Sequence, residues 1–161
     1  MNSNPHLFLD IDGVLATNAQ FYSKTLHPKY KVYGFDRKCI QVLNKIIEDV
    51  NPTIILSSDW KLHFELHELN EIFSDNGINA KIADITPSLW GSKFTSLSQL
   101  EECRAFEIIK FVNENNITNF VAVDDLNLNH WLENNFVYCP RSNEGIKQTG
   151  IKEKIIKILN T

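Results

Sequence analysis

The stretch Leu7-Phe8-Leu9-Asp10-Ile11-Asp12-Gly13-Val14-Leu15 decides how the rest of the chain is read. Its run of Leu and Phe before Asp10 has the length and near-continuous hydrophobicity of a strand buried on both faces, as in a parallel sheet. The run stops at two carboxylates, which places them at the C-terminal end of the strand, where open α/β sheets bind their ligands. Asp10 and Asp12 are separated by one residue, so side-chain alternation points both to the same side while strand geometry lasts. Gly13 lets the chain turn sharply or brings its backbone close to a ligand. Two like charges this close repel, so the pair requires either a cation between them or one protonated carboxyl. A hard divalent ion such as Mg²⁺, which favours carboxylate and carbonyl oxygens, is the expected cation. The plainer alternative is that the two residues cap a turn, as Asp commonly does.

At 161 residues the chain is long enough for one domain with a full core and too short for two ordinary ones, so residues 1–161 are read as a single domain. Its 43% hydrophobic and 22% charged residues are ordinary for a water-soluble globular protein. A formal net charge of -4 argues against attachment to nucleic acid by bulk charge alone and leaves a local basic groove open. Met1 to His6 carries no basic segment followed by an apolar one, and no uninterrupted apolar stretch is long enough to span a bilayer, so the expected location is the cytoplasm. Cys39, Cys103 and Cys139 are widely separated and lack metal-type spacing, as expected of thiols in a reducing compartment. The glycosylation sequon Asn116-Ile117-Thr118 carries no meaning there.

Ala16 to Phe35 follows the opening strand, with Phe21, Tyr22, Tyr30, Tyr33 and Phe35 among Lys24, Lys29 and Lys31. It reads as a long loop or small flap beside the site, serving either as a lid or as a cover that lays its aromatics on the core. Asp36 offers an N-cap to a helix whose Ile40, Leu43, Ile46, Ile47 and Val50 share one face, ending at Asn51-Pro52. Thr53-Ile54-Ile55-Leu56 is a second buried strand, and it stops at Ser57-Ser58-Asp59-Trp60. A hydroxyl and the backbone N–H groups of such a turn can hold phosphoryl oxygens, although Ser is also an ordinary N-cap. The next helix is expected over roughly residues 60–75, with His63 and His67 one turn apart; Phe64 stands where the zinc-protease pattern needs glutamate, so the pair is read as a helix-surface feature.

A third strand is expected near Ile78 to Ile85, followed by an irregular segment from Thr86 to Leu97 containing Pro87 and Gly91. Ser98-x-x-Glu101 reads as a capping box opening a helix to about Asn115, with Ala105, Ile108, Ile109 and Val112 inward and Arg104 near its start. The strand Asn119 to Val123 again stops at acid, Asp124-Asp125. Phe136 to Cys139 is a fifth strand leading to Pro140 and Arg141, and Ile151, Ile155, Ile158 and Leu159 mark a closing helix. Strands alternate with helices throughout, which predicts an α/β three-layer sandwich with a central parallel sheet.

The order D-x-D-G-V at Asp10 to Val14, Ser57 after the second strand, Arg104 on a helix and Asp124-Asp125 after a strand resembles the haloacid dehalogenase (HAD) superfamily. Through Ser57-Ser58-Asp59-Trp60, Thr86-Pro87 and Arg104-x-x-Glu107-Ile108 the chain looks most like the small-capped HAD domain of Swiss-army-knife RNA repair proteins. The resemblance implies a phosphatase in which Asp10 attacks phosphorus and forms an aspartyl-phosphate, while Asp12 protonates the leaving oxygen and then activates water. It implies Mg²⁺ held by Asp10, the backbone carbonyl of Asp12 and Asp125, with Asp124 as a direct or indirect helper. Ser57 would hydrogen-bond the phosphoryl oxygens and Arg104 would offset their charge. Ser58 is a further candidate for substrate contact, and Arg141, with the aromatic and basic residues of the first loop, either stacks on a base or grips a second phosphate, or only packs. Many members carry Lys where Arg104 stands, and Lys93 and Lys61 are the alternatives. The resemblance also implies phosphoester hydrolysis over carbon-halogen or carbon-phosphorus cleavage, because members that break the latter bonds generally lack an Asp at the position of Asp12.

Neither interval between motifs has room for a large cap, and an open site suits a phosphorylated end of RNA or DNA, or a phosphoprotein; nucleotides and sugar phosphates stay open. Neither a membrane nor an obligate protein partner is expected. The competing readings are a catalytically silent HAD-like binding module and a receiver-type phospho-signalling domain, which would place its acidic pair on the first strand and its phosphorylated Asp on the third.

Overall fold

The computed structural model describes residues 4–89 and 93–161. Five strands, β1 (His6–Leu9), β2 (Thr53–Leu56), β3 (Ile82–Ile85), β4 (Phe120–Asp124) and β5 (Phe136–Tyr138), form one sheet in the order β3-β2-β1-β4-β5. Every pairing is parallel. Parallel neighbours need crossovers, and helices supply them. Helices α1 (Asn18–Phe21) and α2 (Arg37–Val50) lie between β1 and β2, α3 (Leu66–Asp75) between β2 and β3, and α4 (Leu97–Glu114) between β3 and β4. The short α5 (Asn129–Leu132) precedes β5, and α6 (Ile151–Leu159) closes the chain.

Side-chain alternation along β1 divides the core into two clusters. Leu7 and Leu9 join Leu43 and Ile46 of α2, Leu69 and Ile72 of α3, and Ile155 of α6. Phe8 belongs with Ala105, Ile108 and Phe111 of α4 and Leu132 of α5. Helices thus cover both faces of the sheet, giving the three layers expected, and the central strands β1, β2 and β4 are correspondingly near-continuous apolar runs, whereas the edge strand β3 carries an exposed Asp84.

The chain steps outward from β1 through β2 to β3, then returns to the other side of β1 for β4 and β5. The reversal puts the switch point at the carboxyl ends of β1 and β4, where open α/β sheets bind ligands. A receiver-type sheet, whose order runs 2-1-3-4-5, does not fit this arrangement.

Several boundaries differ from the sequence expectation. The helix expected over residues 60–75 is broken into a 3-10 turn, Asp59–Leu62, and α3, which begins at Leu66. Glu65 and Glu68 cap each other reciprocally and start the second helix afresh, with the Glu65 N–H donating to Glu68 Oε2 at 2.8 Å. His63 closes the 3-10 turn, so His63 and His67 do not share a helix face. Ser96 rather than Ser98 caps α4: its Oγ accepts from the Gln99 N–H at 3.2 Å. Glu101 instead accepts from the Asn127 N–H at 3.1 Å. Arg104 consequently sits about two turns into α4 rather than at its start. Strand β3 begins at Ile82, whose backbone N–H and C=O are both bound by the Asn70 side chain.

The 16–35 stretch contains α1 and an antiparallel bridge between Leu26 and Tyr33. It is fastened to α3 by His27 on Asp75 at 2.8 Å, Lys29 on Glu71 at 2.7 Å and the Tyr30 hydroxyl on Glu71 at 2.5 Å. Of the second irregular segment, Gly91 lies outside the described residues. Among the described residues no helix is long and apolar enough to cross a membrane, and all three cysteines are buried and free.

Candidate active site

Strand register assembles the site. Leu9 pairs with Leu56 on one side and Val123 on the other, so the residues following β1 and β2 and the end of β4 arrive together. The Asp10 N–H donates to the Val123 carbonyl at 3.1 Å and the Ser57 N–H to the Leu9 carbonyl at 2.9 Å. Asp10, Asp124 and Asp125 each bring a carboxylate oxygen within 4.8 Å of the others. Asp10 and Asp124 are 4% and 1% exposed, so this charge is held away from solvent.

Arg104 reaches in from α4. Its Nη1 donates to Asp124 Oδ2 at 2.6 Å and to the Ser57 carbonyl at 2.8 Å, and lies 3.4 Å from Asp10 Oδ1. Its Nη2 donates to Asp59 Oδ1 at 3.0 Å. Burial works against the guanidinium charge, but Asp124, Asp10 and Asp59 outweigh it and hold the group protonated. One cation does not neutralise the cluster. Burial pushes Asp10 well above the usual carboxylate range, aided by Asp124 and Asp125 and opposed by Arg104. Burial and Asp124 push Asp125 up to about 7. Burial also raises Asp124, against the pull of Arg104.

An all-oxygen, carboxylate-rich set short of positive charge fits a hard divalent cation such as Mg²⁺. Gly13 keeps the space that lets this set form, because a β-carbon there would overlap the Asp125 side chain.

Asp12 lies at the edge of the cluster and is gripped from two directions. The Tyr33 hydroxyl donates to Oδ1 at 2.6 Å, and the Trp60 Nε1–H lies 3.2 Å from both Oδ1 and Oδ2. Burial and the Asp12 carboxylate raise the Tyr33 phenol above its ordinary value, so it remains a donor. Ser57 Oγ is buried with no hydrogen-bond partner among the described residues. A buried hydroxyl without a partner is costly, and here it adjoins the cluster, where a ligand oxygen can satisfy it.

Residues 6–150 match the family described as the HAD domain in Swiss Army Knife RNA repair proteins. The chain belongs to this family. No curated protein and no solved structure matches it. The fold is therefore a small Rossmannoid HAD-like α/β domain with an all-parallel sheet.

Within this HAD domain the structure brings Asp10, Ser57, Arg104, Asp124 and Asp125 together and sets Asp12 beside them. Ser58 is buried and its Oγ accepts from the Trp60 N–H at 3.4 Å, capping the 3-10 turn. Arg141 is exposed on the loop after β5 and pairs with Glu144 at 3.1 Å. Lys61 is fully committed elsewhere, donating to Glu107 at 2.5 Å, Thr86 Oγ1 at 3.1 Å and the Pro87 carbonyl at 3.0 Å. Lys93 is exposed on the segment before α4. Sequence reading missed Tyr33, Trp60 and Asp59 as neighbours of the site residues. Asp59 and Trp60 carried a signal, since they directly follow the serines at the end of β2. Tyr33 carried none beyond belonging to an aromatic loop.

Proposed function

We propose that this HAD domain is a Mg²⁺-dependent phosphatase that hydrolyses a phosphomonoester through an aspartyl-phosphate on Asp10. The observation that carries this reading is the buried Asp10, Asp124 and Asp125 cluster at the switch point, with the partnerless Ser57 hydroxyl beside it. Asp10, Asp125 and the Asp12 backbone carbonyl would hold the ion, which when bound offsets phosphoryl charge and keeps the carboxylates ionised. Asp124 suits a supporting place, because its Oδ2 already accepts from Arg104 and its Oδ1 from the Leu126 N–H at 2.9 Å.

In the first half-reaction an Asp10 oxygen forms a bond to phosphorus as the bond to the leaving oxygen breaks, and the Asp12 carboxyl gives that oxygen its proton. In the second, the Asp12 carboxylate takes a proton from water as the water oxygen attacks phosphorus, releasing phosphate and restoring the Asp10 carboxylate. Ser57 Oγ donates to a phosphoryl oxygen throughout. Arg104 keeps Asp124 and Asp10 in place and would offset part of the phosphoryl charge.

The family description, RNA repair, and the short segments between the motifs support reading the substrate as a phosphorylated nucleic-acid end or nucleotide. The test is phosphate release from an aryl phosphate with and without Mg²⁺, by the wild type and Asp10→Asn, followed by a panel of 3′- and 5′-phosphorylated oligonucleotides and nucleotides. Turnover that requires Mg²⁺ and disappears in the variant supports the reading. A folded, metal-binding protein that releases phosphate from no substrate would sink it.

A further inference from the structure

We propose that Tyr33 and Trp60 form a two-donor clamp that positions Asp12 for proton transfer, making the 16–35 flap part of the reaction machinery. The proposal rests on the phosphatase reading and assigns a role to two residues outside the HAD motif positions. Asp12 stands on a half-buried turn beyond the end of β1, where a short carboxylate side chain is free to choose among rotamers. A proton donor misplaced by about 1 Å loses on the order of a hundredfold in rate, so a device that fixes the rotamer has a kinetic consequence.

The clamp has the geometry of such a device. Tyr33 Oη and Trp60 Nε1 both converge on Oδ1, at 2.6 and 3.2 Å, while Oδ2 receives only the shared indole N–H at 3.2 Å. Oδ1 is thereby filled as an acceptor, which leaves Oδ2 to carry the proton. The Oδ2–H bond breaks as the leaving oxygen gains that hydrogen and the electron pair of the P–O bond. Water later returns a proton to Oδ2, and neither Tyr33 nor Trp60 changes its protonation.

The donors are themselves fixed. The two rings meet edge to face at 5.5 Å, Phe21 backs Tyr33 at 5.3 Å, and Phe35 backs Trp60 at 5.7 Å. Trp60 is 6% exposed, so its indole cannot swing away without opening the core. Packing alone does not dictate where the phenol points. Tyr30, on the same flap, sends its hydroxyl to Glu71 on α3, whereas Tyr33 sends its hydroxyl to Asp12.

Tyr33→Phe removes one hydroxyl and keeps the ring. The readout is kcat/KM, which reports the steps up to departure of the leaving group, on p-nitrophenyl phosphate and on an alkyl phosphomonoester that the wild type hydrolyses. An alkoxide needs its proton and a nitrophenolate does not, so the variant should lose about tenfold or more on the alkyl ester and under about threefold on the aryl ester. Equal losses on the two would overturn the clamp while leaving the phosphatase reading intact. Absence of turnover in the wild type would overturn both. A second readout needs no activity: in ¹H–¹⁵N spectra of the metal-free protein, the indole resonance assigned by its loss in Trp60→Phe should shift in Asp12→Ala and in Tyr33→Phe. An indole resonance unmoved by Asp12→Ala would overturn the proposal.

Discussion

A β-carbon on Gly13 would stand 2.2 Å from Oδ2 of Asp125 and 2.6 Å from its Cγ. The turn after β1 and the acid after β4 thus share a space that glycine alone leaves open. The φ of 76° at Gly13 adds a second reason, since it lies in the left-handed region. Gly13→Ala is expected to push Asp125 out of the cluster and to cost about 1–3 kcal/mol of stability. Thermal melting with and without Mg²⁺ checks this: the variant should melt lower and lose most of the Mg²⁺-dependent gain. A variant that keeps the full gain would mean that Asp125 does not hold the ion.

The acidic cluster makes the metal effect depend on pH. Asp125 rises from a usual carboxylate value of about 3.9 to about 7, and Asp10 and Asp124 also rise. A carboxyl whose folded pKa exceeds its unfolded one contributes stability that is complete below about 4 and is lost as pH climbs through about 7. The metal-free protein should therefore weaken across that window. On the proposed reading Mg²⁺ takes the ionised carboxylates and releases their protons, so it should restore more at pH 8 than at pH 5. At a hundredfold excess over Kd the gain at pH 8 should approach about 2.7 kcal/mol, or about 5–10 °C in Tm. A gain of the same size at both pH values would contradict the cluster as the binding site.

Lys61 and Glu107 form an ion pair whose side chains are 5% and 7% exposed. Lys61 also ties down Thr86 and Pro87, and Glu107 Oε1 accepts from the Leu89 N–H at 3.1 Å, so the pair anchors the chain leaving β3 to α4. Glu107→Ala strands a buried ammonium and should cost about 3–5 kcal/mol in urea unfolding. Lys61→Met combined with Glu107→Leu removes both charges and should recover part of that loss. A double variant no more stable than Glu107→Ala would show that the cost lies in packing rather than in the unpaired charge.

The fold and most of the acidic site were legible because they follow from a few strong local signals. Strands buried on both faces read as apolar runs, and each of β1, β2 and β4 ends at a polar group on the same edge of the sheet. Parallel register then brings Asp10, Ser57 and Asp124 together without further instruction. Contacts between segments left no such trace. Tyr33 meets Asp12 across 21 residues and Lys61 meets Glu107 across 46, and neither pair lies within one local pattern. Nothing in the sequence around Lys61 signals its ion pair with Glu107. Asp36 caps α2 as expected, whereas the starts of α3 and α4 were missed for a different reason: polar residues crowd both of them. Glu65 and Glu68 restart a helix inside an apolar pattern that runs on from Trp60 and Phe64.

The start of α4 offers two serines, and the structure chooses between them. Ser96 Oγ accepts from the Gln99 N–H at 3.2 Å, and Gln99 Oε1 reaches back to the Thr95 N–H and Oγ1 at 2.9 Å each, so the cap is built around Ser96 without Ser98. Ser98 lies one residue inside the helix with an exposed side chain. Ser96→Ala should cost about 1 kcal/mol in urea unfolding, within a range of about 0.5–2, whereas Ser98→Ala should stay within about 0.5 kcal/mol of the wild type. Neither change should reach the site, because Arg104 is fixed by Asp124 at 2.6 Å and by the Ser57 carbonyl at 2.8 Å rather than by the end of the helix. A larger cost at Ser98 than at Ser96 would move the helix start back to the position that the Ser98-x-x-Glu101 spacing suggests.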